Sequence, residues 1–280
     1  MRRIGVRATA LCFAATLVAS AVAATSALAG MHLPEWGKCV KAEKNGKYKD
    51  AGCTEPATSR GEGLYVWRHT ANTEEIVNEA GESVFEGVSG KRKIECSHLV
   101  NKLWIPETNF SSVTAVHLVF SGCEEIEEGV ATGSCQNGET AGEITSNELR
   151  GSLGYISGGG TPDPVVGLSL MPSPGRKAIA EFVCFSLGHE QHVVLGKSGG
   201  DGDSVIARIT EVDQMVSSWQ LTYSESAPGI QDPTKFEGLS EDILEASFAG
   251  RTGPFERFGL TYVAPYSSGV VKREVRAYVQ

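Results

Sequence analysis

The sequence predicts an all-β protein: an antiparallel β-sandwich or barrel-like body with an N-terminal hairpin stapled by a disulfide. Short apolar runs recur at close spacing, 33 glycines and 11 prolines punctuate them, and no long stretch keeps a helical period. The clearest run lies within residues 113 to 156. Val113, Ala115, His117 and Val119 alternate there with Thr114, Val116, Leu118 and Phe120. Both faces are largely apolar, as in a strand at the middle of a β core. An acidic loop between Cys123 and Cys135 follows, and residues 143 to 145 and 149 to 156 re-enter the sheet.

The N-terminus predicts the compartment. Arg2, Arg3 and Arg7 precede a run of apolar and small residues, and Ala27-Leu28-Ala29 before Gly30 has the small-x-small form of a cleavage site. Residues 1 to 29 therefore read as a bacterial secretory signal, and the expected location is secreted, extracellular or in the cell envelope. The apolar run is short for a membrane span, so no span is expected in the mature chain. Removing 29 of 280 residues leaves 251, and Lys+Arg falls from 25 to 22 against 34 acidic residues, a net charge of 22 − 34 = −12. A surface this acidic repels phosphate backbones and anionic lipid, which excludes nucleic acid as an expected partner.

Six cysteines remain: Cys39, Cys53, Cys96, Cys123, Cys135 and Cys184. An even number in an exported chain implies disulfides, although sequence does not choose the connectivity. The shortest loops would join Cys39 to Cys53 and Cys123 to Cys135, leaving Cys96 for Cys184. Arg92, Ile94 and Cys96 share one strand face, as do Ala178, Ala180, Phe182 and Cys184, so both could point inward. No Cys-x-x-Cys pair supports a zinc site.

Along the chain, residues 30 to 56 read as a hairpin module around Asn45-Gly46, and residues 57 to 280 as the β-rich body, continuous with the module or separate from it. Residues 57 to 82 form the expected seam, with the aromatic run Leu64-Tyr65-Val66-Trp67 inside it. A second hairpin is predicted about Ser89-Gly90, with Lys91, Lys93 and Glu95 facing water, then a strand over 99 to 105 that stops at Pro106. The turn-rich loop 158 to 164 follows. Strands are predicted over 165 to 171, 177 to 185, 192 to 196 and 205 to 209. Ser217, Trp219, Leu221 and Tyr223 mark the buried face of another. Residues 239 to 248 carry a weak helix signal capped by Ser240 but alternate as a strand, the reading preferred here, with a hairpin through 250 to 254 to the run 258 to 263. Val271, Val275, Ala277 and Val279 make the inner face of a final strand.

Several segments carry a resemblance. Glu35-Trp36-Gly37-Lys38-Cys39-Val40, Gly46-Lys47-Tyr48 and Gly52-Cys53-Thr54 resemble the opening of a group of uncharacterised secreted proteins of soil actinobacteria. Phe120-Ser121-Gly122-Cys123, Ala141-Gly142-Glu143-Ile144, the run Leu149 to Ile156, Glu181-Phe182-Val183-Cys184 and the run 231 to 238 are similar too. The resemblance implies export and a shared β architecture, and transfers no catalytic residue.

Candidate chemistry is sparse. His189 and His192 are spaced to share a helix face, yet the flanking Gly188 and Val193-Val194 predict a turn entering a strand, which separates them. His117 reads as a hydrogen-bonded core imidazole. The Glu124 to Glu128 run and Asp201-Gly202-Asp203 lack calcium-loop spacing and read as solvated. No nucleophile elbow, Ser-x-x-Lys or His-Glu-x-x-His occurs. Trp36, Trp67, Trp104 and Trp219 could stack on sugars but read first as core. No catalytic residue, metal ligand or cofactor is therefore assigned. The expected function is a non-catalytic binding or structural protein whose partner is a cell-wall or other extracellular polymer. The alternative is a glycan-active hydrolase, which needs only two carboxylates brought together by the fold, or a carbohydrate-binding module.

Overall fold

The computed structural model describes residues 33 to 69, 72 to 159, 161, 163 to 196, 204 to 216, 218 to 238, 241 to 267 and 276 to 278. The signal reading, the 199 to 203 loop, Ser217, the Ser240 cap, Val271, Val275 and Val279 lie outside them. Among the described residues there are twenty strands and no helix. The first ten are β1 (Glu35–Gly46), β2 (Gly63–His69), β3 (Asn72–Ala80), β4 (Ser83–Gly87), β5 (Arg92–Cys96), β6 (His98–Ile105), β7 (Ser112–Ser121), β8 (Glu124–Glu127), β9 (Val130–Gln136) and β10 (Ile144–Thr145). The rest are β11 (Leu149–Ser157), β12 (Val165–Pro172), β13 (Ala180–Ser186), β14 (His189–Leu195), β15 (Val205–Ile209), β16 (Ser218–Ala227), β17 (Ile230–Asp232), β18 (Glu245–Ser247), β19 (Glu256–Ser267) and β20 (Arg276–Tyr278).

Pairing sorts most of these strands into two antiparallel systems. The order β4-β5-β8-β9-β13-β14-β18-β19 returns from β19 to β4 and closes an eight-stranded barrel. A second run, β3-β6-β7-β11-β12-β15-β16-β19, uses the same last strand. Residues 258 to 261 of β19 pair with β4, and residues 262 to 267 pair with β16. Closure leaves the barrel itself without an open edge. The remaining sheet is small, with β1 between β2 and β20.

The predicted strands are present among the described residues, the 239 to 248 run only as Glu245–Ser247, and two further local differences stand out. In β7 the simple alternation breaks at Ala115, whose φ is 49°. Register shifts against both β6 and β11 mark a bulge there. The extra residue turns Val113 onto the same buried face as Val116, Leu118 and Phe120. In the N-terminal hairpin the second arm is β2, not the segment directly after Asn45-Gly46. Residues 47 to 62 instead form a loop, because Asp50 collects amides: its carboxylate accepts from Gly52 N at 2.9 Å, Thr54 N at 3.0 Å and Glu55 N at 2.7 Å. Cys39–Cys53 staples that loop to β1, with Cα atoms 5.6 Å apart.

The other two disulfides correct the shortest-loop assignment. Cys96 bonds Cys123 and Cys135 bonds Cys184, both with Cα atoms 4.0 Å apart. The register explains this. Glu95 opposes Glu124, Glu124 opposes Ser134, and Cys135 opposes Cys184, so the four cysteines form one row across β5, β8, β9 and β13. Bonding the middle pair would leave Cys96 and Cys184 three strand spacings apart, about 14 Å. Bridging demands Cα atoms within about 7 Å, so only pairing the row from its ends gives two bonds.

Close packing brings the walls together. A Cβ on Gly133 would lie 1.7 Å from the Phe185 carbonyl oxygen, so only glycine lets β9 approach β13 there. Phe85 inside the barrel meets Phe120 of β7 edge-on, ring centres 4.8 Å apart. Trp36 packs on Trp219 at 4.9 Å, and both are buried.

Candidate functional site at the barrel mouth

The turns β4–β5, β8–β9, β13–β14 and β18–β19 all lie at one end of the barrel. Register fixes which side chains face its interior, since residues directly opposite share a face. Ile94 opposes Phe85 and Glu125, and all three are buried. Two residues nearer the turns, on the same faces, Arg92 opposes Glu127. Cys184 opposes Gln191, and Ala246 opposes both Glu256 and Leu195. The result is a cleft of about 530 Å³ lined by Arg92, Glu127, Gln191, Phe248, Phe255 and Glu256, among others.

Arg92 organises this mouth. Its Nε and Nη2 donate to Glu127 Oε1 at 3.3 and 3.2 Å, and its guanidinium lies 5.8 Å from the Phe248 ring centre. Beneath it, Glu125 is 0% exposed, with Oε1 3.9 Å from Arg92 Nε. Thr132 Oγ1 donates to Glu125 Oε2 at 3.4 Å, while Oε1 accepts no hydrogen bond. Burial pushes the Glu125 carboxyl up from its ordinary range, against the downward pull of Arg92. Gln191 Oε1, also buried, accepts no hydrogen bond either.

The residues singled out in the sequence fall in different places. The Glu124 to Glu128 run is strand and turn, not a loop: Glu124 and Glu128 face solvent, while Glu125 and Glu127 face the interior. His189 and His192 are both exposed and, three apart on β14, lie on opposite faces. His192 borders a separate cleft of about 390 Å³ with Asn137, Glu181 and Arg251, the last two ion-paired. Among the described residues no three His, Cys, Asp or Glu side chains converge as metal ligands. His117 is half-buried opposite Lys102. Trp36 and Trp219 are dry, and Trp67, half-buried, donates its indole N–H to Glu35 at 2.9 Å. A row of exposed tryptophans is therefore not formed.

Sequence reading missed the site itself. Arg92 carried a signal, being the charged residue on the face shared with Ile94 and Cys96. Gln191, Phe248 and Phe255 carried none, because strand pairings distant in sequence bring them to the mouth.

The fold and the cleft define a disulfide-stapled, closed β-barrel with a mixed polar and aromatic mouth. Comparison with protein-family models, curated proteins and solved structures finds no match. Three disulfides are the covalent mark of an oxidising compartment. No helix among the described residues is long and apolar enough to cross a membrane.

Proposed function

We propose that this chain is a non-catalytic binding protein, secreted or held in the cell envelope, and that its barrel mouth takes the ligand. The observation that carries the reading is the Arg92, Glu127 and Phe248 arrangement. A guanidinium fixed by a carboxylate and laid over an aromatic ring is organised before any ligand arrives, which lowers the entropic cost of binding. The hairpins that carry Arg92, Glu127 and Gln191 are tied by two disulfides deeper in the wall, beyond the level of Ile94 and Glu125. The signal-like N-terminus, the disulfides and the resemblance to secreted proteins support export.

The test is retention of the purified mature protein on purified cell wall and on a glycan panel. Saturable binding that Phe248→Ala abolishes is expected. Turnover of a polysaccharide or ester would overturn the non-catalytic reading. Glycan hydrolysis remains the second reading because Glu127 and Glu256 line one cleft. Release of reducing ends that disappears in Glu256→Gln would select it.

A further inference from the structure

Resting on that reading, we propose that the barrel mouth selects an amino sugar: a ligand with clustered O–H and N–H donors on one edge and an apolar C–H face. Gln191 Oε1, in the lining of the cleft, is buried and accepts no hydrogen bond, a state that a donating ligand relieves. Glu127 and Glu256 add carboxylates to the same end of the barrel. The inward-facing guanidinium is already engaged, with Arg92 held by Glu127, and Lys91 sits exposed at the rim. Phe248 and Phe255 supply the apolar surface against which a sugar ring packs.

The charges then rank related sugars. A protonated amine faces Glu127 and Glu256 and is favoured, a neutral hydroxyl is tolerated, and a carboxylate is repelled. Gln191, an uncharged acceptor, recognises the donor edge without regard to charge.

The experiment is calorimetric titration of the intact mature protein with glucosamine, glucose and glucuronate at one ionic strength and a pH that keeps the amine protonated. Glucosamine is expected to bind at least tenfold more tightly than glucuronate, with glucose between. Gln191→Leu is expected to weaken glucosamine about tenfold, and Glu256→Gln to narrow the gap between glucosamine and glucose. Gln191 and Glu256 are both only half-buried, so either variant keeps the test available if the other fails to fold. Glucuronate binding as tightly as glucosamine would overturn the amino-sugar class and make the mouth an anion site of Lys91 and Arg92, leaving the binding function standing. Glucosamine binding unchanged in Phe248→Ala would place the sugar elsewhere and overturn the mouth as the site. Absence of binding by all three at millimolar concentration would overturn the proposal, while retention on cell wall would still support the broader function.

Discussion

Cys123 and Cys135 lie directly opposite each other, the Cys135 amide donating to the Cys123 carbonyl at 2.9 Å, yet neither is bonded to the other. One cysteine of each disulfide therefore has a neighbour in the other. Cys96→Ser leaves an odd thiol at Cys123. Its thiolate is expected to attack Cys135 Sγ, forming Cys123–Cys135 and expelling Cys184 as a thiolate that takes up the proton. Alkylation and peptide mapping of the folded variant should find label on both Cys123 and Cys184. Label confined to Cys123 would show that the row does not exchange.

Glu225 sets a pH dependence. Burial, only partly opposed by the Gly229 amide and reinforced by Glu86, raises its pKa from 4.5 to about 6. A carboxyl raised in the folded state stabilises below the unfolded value, and that contribution is lost as pH rises through the folded one. Thermal stability should thus decline between pH 4.5 and about 6 from this group, with the raised Glu125 and Glu237 acting in the same direction. Melting temperatures against pH should show a shallower decline in Glu225→Gln.

Removing Arg92 exposes the cost of the carboxylate beneath it. Arg92→Ala is expected to destabilise by about 1–2 kcal/mol, below the figure for a fully buried pair because the guanidinium side chain is 32% exposed. Glu125→Gln in the Arg92→Ala background should recover part of the loss. Denaturant melts of the two single variants and the double variant measure the coupling, and strict additivity would refute it.

Gly133→Ala tests the β9–β13 seam. The added methyl meets backbone, not a movable side chain, at 1.7 Å. Overpacking of this kind should cost about 1–3 kcal/mol and lower the melting temperature by several degrees.

The strands were legible where neighbouring residues decide them. The Ser83 to Cys96 hairpin, the Trp219, Leu221 and Tyr223 face and the Ala246 to Phe258 hairpin follow from alternation and turn residues. What escaped depends on distant partners. The chain steps from β12 in one system to β13 in the other across Ser173-Pro174-Gly175, and alternation is identical in both. The cysteine pairing escaped for the same reason, since a row across four strands exists only after β13 has found β9. The bulge at Ala115 escaped because alanine does not announce a positive φ.

The double membership of β19 has a consequence for how the protein comes apart. A slip of one residue in a strand exchanges its two faces. In β19 it would expel Phe258 and Leu260 from the barrel and displace the six pairings with β16 at the same time. Neither system can adjust its register alone, so loss of one should melt the other in a single calorimetric transition, two structures sharing one cooperative unit.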